Sequence, residues 1–492
     1  MFAGTGSDVG KSVLAAGFCR IFRQDGYNPA PFKAQNMALN SFVTPDGLEI
    51  GRAQAAQAEA CGIAPTADMN PILLKPQGDS ISQLVLNGKA SANVSARRYY
   101  EKDRRDALRS EACSAFDRLA AKHSPIVMEG AGSVAELNLR DADIVNINMA
   151  RHAGATVILV ADIERGGVFA SVYGSIMLQK PDDRKLIKGI IVNKFRGDIS
   201  LFDNGRKILE EICGVPVLGV MPYFDNIHIE EEDSMELAAK KQHAANGGKV
   251  NVAVVKLKHI SNFTDFDILE HDGRVNLYYC DNAEELNSAD IIILPGSKNT
   301  IADLEQLRRN GMAKAITEAA YKGKTVLGIC GGYQMMGTRI TDSYGIEGAE
   351  CTAEGLGLLP VRTRLEPEKT LRQAEFTFAD SNGTAMKGYE IHNGVTEADD
   401  GKAQKPLFIK TDGCHDGCIC GDNCMGTYMH GSLDNPQFVN FLLSKCGKVI
   451  TAESGISDYN EFKNRQYDRL ADLIRQNIDM KQVYRIMAEQ PE

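Results

Sequence analysis

Gly328-Ile329-Cys330-Gly331-Gly332 sets one cysteine among small residues, after the apolar run Val326–Ile329 and before the helix-compatible Tyr333-Gln334-Met335-Met336. A sharp strand-to-helix turn of this kind exposes a nucleophile, and its backbone needs small neighbours. The position at a helix N-terminus favours the thiolate. Such a nucleophile also needs a base nearby, and Gly426–Gly431 offers His430 a hundred residues later. Pro295–Thr300 follows the apolar run Ile291–Leu294. Its Gly296, with Gly331, is a candidate source of oxyanion-hole N–H groups.

A second chemistry sits at the start. Gly4-Thr5-Gly6-Ser7-Asp8-Val9-Gly10-Lys11-Ser12 is a glycine-rich loop running into a helix. Its backbone N–H groups can cradle the phosphates of ATP, with Thr5, Gly6 and Gly10 shaping the loop. Lys11 would reach the terminal phosphates and Ser12 would hold Mg²⁺. Glu129 ends the apolar run Ile126–Met128, where an acid at the C-terminal edge of a parallel sheet can share that metal. Asn193-Lys194 ends another strand and reads as a weak base-recognition signal, which puts Asn193 among the ATP-binding candidates. Only Met1-Phe2-Ala3 precede the loop, fewer than the five or so residues of an ordinary strand, so several residues of the first strand are expected to be missing.

The elements that must position these groups alternate. Short apolar runs at 126–128, 156–160, 190–192 and 217–220, and again at 252–255, 291–294 and 326–329, are separated by segments of helical length. That is a βαβ rhythm with mainly parallel sheets. The expected architecture is α/β: two mainly parallel-sheet domains and a helical C-terminal tail in which Leu470, Leu473, Ile474 and Ile478 keep helical spacing. The boundaries read as 1–235 for the P-loop domain, 236–250 for a polar linker, 251–447 for the second domain and 448–492 for the tail. With 492 residues, 43% hydrophobic and 24% charged, the chain is too long for one core and too apolar for disorder. A net charge of −10 argues against a general nucleic-acid binder or a basic membrane-surface protein. No apolar run spans a bilayer, no export signal opens the chain, and the twelve cysteines are mostly scattered, so a cytoplasmic protein is expected. Cys414, Cys418, Cys420 and Cys424 form the exception, a tight group with metal-ligand spacing.

The loop spacing is longer than the common G-x-x-x-x-G-K-S and resembles the dethiobiotin-synthetase-like branch of P-loop proteins. The run around Cys330 resembles class I glutamine amidotransferases, in which cysteine releases ammonia from glutamine. Most of that class carry glutamate two residues after the histidine; here Ser432 stands there, as in the cobyrinate/cobyrate branch, leaving Asp434 as the candidate to orient His430. The runs Pro31–Ser41, Glu49–Gln54, Asn70–Pro76, Asn138–Asp141, Asp162–Ala170, Asn193–Asp198 and Ile260–Asp267 resemble the cobyric acid synthase family, and the likeness extends from Gly4 to about residue 485.

The resemblance implies ATP- and glutamine-dependent amidation of four carboxylates on adenosylcobyrinic acid a,c-diamide, giving adenosylcobyric acid in cobalamin biosynthesis. It also implies an acyl-phosphate intermediate and glutamine and a corrinoid polycarboxylate as substrates. Lys33 would then stabilise phosphoryl charge, and Gln35, Asn36, Asn40, Arg52 and Arg165 would hold the corrin. The dethiobiotin-synthetase-like branch places a second acid on the metal; Asp46 is the nearest candidate. The family needs no metal at the cysteine group. Two other readings remain at this point: a cobyrinic acid a,c-diamide synthase, or a P-loop regulatory protein with a degenerate glutaminase domain.

Overall fold

A computed structural model of the 492-residue chain describes residues 1–77, 81–230, 248–380, 383–399, 405–447 and 455–489. Most of the expected linker falls at 231–247, outside the described residues, and so do the first residues of the expected tail.

The first sheet is parallel, with strands Phe2–Gly4, Val157–Asp162, Ile187–Phe195 and Val217–Pro222 side by side. A bridge between Phe2 and Glu129 sets Ile126–Met128 on the far side of Phe2–Gly4, and that strand pairs in parallel with Ala30–Phe32. The strands are apolar throughout because both faces are covered. Ile158 and Val160 face the helix Lys11–Gln24, while Val157, Leu159 and Ala161 face the helices Val168–Met177 and Asp203–Cys213. The first strand is only three residues long, yet Phe2, Ala3 and Gly4 hold parallel register with Ile158, Leu159 and Val160. That register, with Thr5 N–H donating to Val160 O at 3.0 Å, fixes where the glycine loop leaves the sheet.

The tail is not a separate appendage. Helices Tyr459–Asn477 and Met480–Ala488 return to the first unit, and Leu470, Ile474, Ile478 and Ile486 join the core around Phe18 and Ile21. Arg20 binds Asp468 at 2.7 Å, and the backbone N–H of Asp479 donates to Leu218 O at 2.8 Å. Each of these fully buried aliphatic side chains contributes about 1.5–3 kcal/mol, so the return is a structural closure.

The second unit has a six-stranded sheet ordered Val275–Cys280, Val250–Val255, Ile291–Leu294, Thr325–Ile329, Cys424–Thr427 and Cys418–Cys420. The first five strands run parallel and the last is antiparallel. The parallel rhythm is as the apolar runs implied. Two mixed sheets with long antiparallel parts are additional: in the first unit Ile72–Pro76 with Ile81–Leu86 and Lys89–Ser95, and in the second the long hairpin Val361–Phe378 with Met386–Ala398. Their alternating, half-polar strands carry a weaker apolar signal than a buried parallel run.

The two units meet through a small hairpin of the first, Ser41–Val43 with Glu49–Gly51. Val43 packs on Tyr389 and Ile391 of the second, Asn262 Nδ2 donates to Ser41 O at 3.2 Å, and the Gln373 amide donates to Val43 O.

Candidate active site

Strand Thr325–Ile329, buried throughout, delivers Cys330 to the start of the helix Gly331–Met336. Cys330 has φ 53° and ψ −109°, a conformation that side-chain-bearing residues rarely adopt. It is held by its own N–H to Thr427 O, 2.9 Å, and by Gln334 N–H to its carbonyl, 3.1 Å. Glycine is obligatory two residues on: a Cβ at Gly332 would lie 1.9 Å from Leu294 O. The sequence therefore specifies the elbow that the strand–turn–helix pattern implied.

His430 ends the short strand Met429–His430 and is 1% exposed. It lines one cavity with Cys330, whose thiol donates to Ile391 O at 3.7 Å. The imidazole Nδ1 lies 2.6 Å from Asp265 Oδ2, while Gly431 N–H donates to Asp265 Oδ1 at 3.0 Å. Tyr389 stacks on the imidazole at 5.4 Å between centroids. Burial acts to lower the pKa of His430, but the charge and hydrogen bond of Asp265, with Cys330, outweigh it and hold it at about 10. The imidazole is thus kept protonated at neutral pH, beside the sulfur.

Asp265 replaces Asp434 in the expected orienting role. Asp434 sits in the turn Ser432–Asp434, and burial pushes its carboxyl up to about 7 against the opposing pull of Lys463 and Arg52. Asp265 comes from the turn Phe263–Phe266, 165 residues before the histidine. Its signal was the run Ile260–Asp267, which gave no hint of a partner so far along the chain. Gly296 lies against the imidazole, where a Cβ would be 3.6 Å from His430 Cε1, and Gly331 lies against Ser297. Both oxyanion-hole candidates therefore border the Cys330–His430 pair.

At the other site, Gly10 takes the left-handed φ of 95° and Lys11 opens the helix. Lys11 Nζ donates to Gly6 O at 2.9 Å and Gly132 O at 3.1 Å, so the ammonium lies across the mouth of the loop. Burial, opposed by Glu129 and assisted by Lys33, brings its pKa down to about 8. Glu129 is the hub. Its Oε1 accepts from Ser12 Oγ at 2.7 Å and Lys33 Nζ at 2.8 Å, and its Oε2 accepts from Gln57 Nε2 at 2.7 Å. Burial would raise the Glu129 pKa, but Lys33, Gln57 and Ser12 bring it below the ordinary carboxylate value.

Gln57 is 1% exposed, and its Oε1 is buried without a hydrogen-bond partner. An orphaned amide oxygen beside a carboxylate and a hydroxyl is a hard-oxygen donor set, which fits a divalent cation such as Mg²⁺. Asp46 is not part of it, because Asp46 is tied to Thr44 Oγ1 at 2.5 Å in the hairpin turn. Asn193 braces the loop from beneath, donating to Val9 O at 2.9 Å.

The residues expected to hold the corrin divide. Arg165 is exposed, with Asp8 and Asp162 at 3.8 and 3.9 Å. Gln35 pairs with Tyr99 on the wall of a cavity that also includes Gly132 and Arg140. Asn36 is buried against Gln54, and Asn40 accepts from Phe263 N–H of the second unit at 3.1 Å. Arg52 does not face a ligand surface. Its guanidinium, 5% exposed, makes two 2.6 Å bonds to Glu230 and lies over Phe42. A bidentate buried pair satisfies the charge internally, which makes Arg52 a structural residue. The cysteine group also separates. Cys420 faces Cys424 across a hairpin, Cys414 and Cys420 are exposed, and Cys418 and Cys424 are buried. Among the described residues, no three His, Cys, Asp or Glu side chains come together to hold a metal. No described helix is long and apolar enough to cross a membrane.

Residues 251–438 match the family described as CobB/CobQ-like glutamine amidotransferase domain, and residues 1–237 match the CobQ/CobB/MinD/ParA nucleotide binding domain. A nucleotide-binding unit fused to a glutaminase unit defines the class: an ATP-dependent glutamine amidotransferase, a ligase. The chain is 57% identical over 488 residues to the cobyric acid synthase of Phocaeicola vulgatus, covering 99% of this chain and 98% of that one. It is 57% identical over 489 residues to that of Bacteroides fragilis, with 99% and 98% covered. It is 55% identical over 486 residues to that of Parabacteroides distasonis, with 98% and 97% covered. The chain belongs to the cobyric acid synthase family.

Proposed function

We propose that the chain amidates four peripheral carboxylates of adenosylcobyrinic acid a,c-diamide, in cobalamin biosynthesis, with ammonia taken from glutamine and activation by ATP. The observation that carries the reading is Cys330 and the Asp265-bound His430 lining one cavity, in one chain with the Lys11–Ser12–Glu129 loop. In the glutaminase half, the Cys330 thiolate attacks the side-chain amide carbon. His430, protonated and held by Asp265, gives its proton to the departing ammonia, and the N–H groups near Gly296 and Gly331 receive the charge on oxygen. His430 then takes a proton from the water that cleaves the thioester, and glutamate leaves.

In the other half, a corrin carboxylate oxygen attacks the γ-phosphorus of ATP, ADP departs, and ammonia displaces phosphate from the acyl phosphate. Lys11 and Lys33 stabilise the charge on the transferring oxygens. Ser12, Glu129 and Gln57 would hold Mg²⁺, whose contribution when bound is charge neutralisation on the phosphates. Contact with the corrin is assigned to Arg165, which is exposed, and to Gln35, which lines a cavity with Gly132.

A cobyrinic acid a,c-diamide synthase is disfavoured by the full-length likeness to cobyric acid synthases. A degenerate regulator is disfavoured by the complete set of Cys330, His430 and Asp265. Cys330→Ser is expected to abolish glutamine-driven amidation of the a,c-diamide and to leave ammonia-driven amidation largely intact. Equal loss of both rates would remove Cys330 from the assigned role.

A further inference from the structure

The cavity that holds Cys330 and His430, about 590 Å³ with part of it open to solvent, is lined by both units: Lys298, Glu347 and Lys369 come from the second and Lys75 and Gln77 from the first. Its described lining is rich in lysine. Glu49, fully buried, accepts from Lys75 Nζ at 2.7 Å and from Lys369 Nζ at 2.6 Å, so one carboxylate serves two ammonium groups. Glu347 accepts the backbone N–H of Ile301 at 3.0 Å. Lys298 Nζ donates to a neutral partner, Gln83 Oε1 of the first unit, at 2.9 Å. Among the described residues, three lysines, Lys75, Lys298 and Lys369, thus stand with two carboxylates, Glu49 and Glu347, around the cavity of the nucleophile. The effect of this grouping shows on Lys298, where burial, with Lys369 and Lys75, brings the pKa down to about 7, and on Lys369, brought down to about 8 by burial and then by Lys75 against the pull of Glu49.

An ammonium whose described partner is a neutral amide gains from a ligand that brings an anion. Glutamine carries its α-carboxylate at the end opposite the amide that Cys330 attacks, and an α-ammonium beside it. We infer that the lysine group formed by Lys298, Lys369 and Lys75 binds the α-carboxylate of glutamine, with Glu347 receiving the α-ammonium, so that the glutaminase pocket is completed by a residue of the nucleotide-binding unit. The inference rests on the glutaminase reading of Cys330 and adds the determinant that selects a free amino acid over other amides. It also makes the glutamine site depend on the hairpin that carries Glu49, since that carboxylate fixes the spacing of Lys75 and Lys369.

The test compares two alkylating agents on the full chain. 6-Diazo-5-oxo-L-norleucine carries the α-carboxylate and α-ammonium of glutamine and alkylates a thiol with loss of N₂; iodoacetamide alkylates the same thiol without either group. The readout is the ratio of their labelling rates at Cys330, followed by mass spectrometry. Lys298→Met is expected to lower that ratio by about 10- to 100-fold, the size of a lost hydrogen bond between charged groups. Lys75→Met, which alters only the first unit, should lower it in the same direction, with iodoacetamide labelling reporting that the elbow is still formed. A ratio in Lys298→Met equal to that of the unaltered protein overturns the inference. If iodoacetamide labels Cys330 in the unaltered protein and the glutamine analogue does not, the glutaminase reading itself falls.

Discussion

Asp265→Asn keeps the shape of the side chain and removes its charge. In the unaltered protein the pKa of His430 stands at about 10 against an ordinary 6.5. That difference is worth about 5 kcal/mol in favour of the imidazolium, at about 1.4 kcal/mol per unit. Coulomb's law agrees in size: opposite charges separated by the 2.6 Å between Nδ1 and Oδ2 attract by about 6 kcal/mol at an effective dielectric of about 20. With the carboxylate gone, the largest influence raising the pKa of His430 is lost while burial still lowers it, so the proton that ammonia needs is held less firmly at neutral pH. The glutaminase rate is expected to fall by about 10²- to 10⁴-fold, the usual contribution of a positioned acid–base.

The pH dependence carries the sharper signature. The activity of the unaltered protein, read as glutamate released, should persist on the alkaline side until His430 loses its proton; in Asp265→Asn that limb should move down by several pH units. Stability follows the same sign. Because the folded pKa is raised, the contribution of the pair is fully present below about 6.5 and is lost as pH rises through about 10. The variant's stability deficit, measured by urea unfolding, should therefore be largest in acid and vanish toward pH 10. A rate close to that of the unaltered protein, with the alkaline limb unmoved, would refute the assignment of Asp265.

Gly10→Ala puts a Cβ 2.1 Å from Asn193 Nδ2 at a φ of 95°, so ATP binding by calorimetry should weaken sharply; adding Asn193→Ala should recover only part of it, because the backbone strain of about 1–3 kcal/mol remains. Unchanged affinity in the single variant would mean that the loop rearranges freely. Glu49→Gln strands Lys75 and Lys369 and should cost about 3–5 kcal/mol at neutral pH. Burial pushes the Glu49 carboxyl up, but Lys369 and Lys75 hold it far below its ordinary 4.5, so its contribution is present above that value and is lost as pH falls through the lowered one. The gap in unfolding free energy between variant and parent should accordingly narrow in strong acid, and a constant gap would count against the ion pairs.

Much of this architecture is legible because parallel strands buried on both faces leave short, solid apolar runs, and because a P-loop and a nucleophile elbow are local motifs whose glycines sit within a few residues of the chemistry. Thr325–Ile329, Cys330 and Gly332 are of that kind. Asp265 is not: its pairing with His430 is a contact between distant segments, and neither segment needs any special composition to make it. Arg52 shows the reverse failure. An arginine in a polar run reads as a ligand for a polycarboxylate, whereas its partner Glu230 can be found only once the chain has folded back. Lys75, Lys298, Lys369 and Glu49 are likewise drawn from four separate segments, so their grouping exists only in three dimensions. Gln57 stood among alanines in a helix, Arg52–Cys61, with no sign that its amide would face Glu129.

The return of helices Tyr459–Asn477 and Met480–Ala488 to the sheet of the first unit bears on how the protein is made. A ribosome delivers an N-terminal domain first, and such domains commonly fold as they emerge. Here the helix that follows the ATP loop stays uncovered on one side until Leu470, Ile474 and Ile478 are translated, after the whole glutaminase unit. The half of the protein that begins synthesis is therefore the half completed last, and a nascent chain can own a finished ammonia source before it owns a finished site at which to spend ATP.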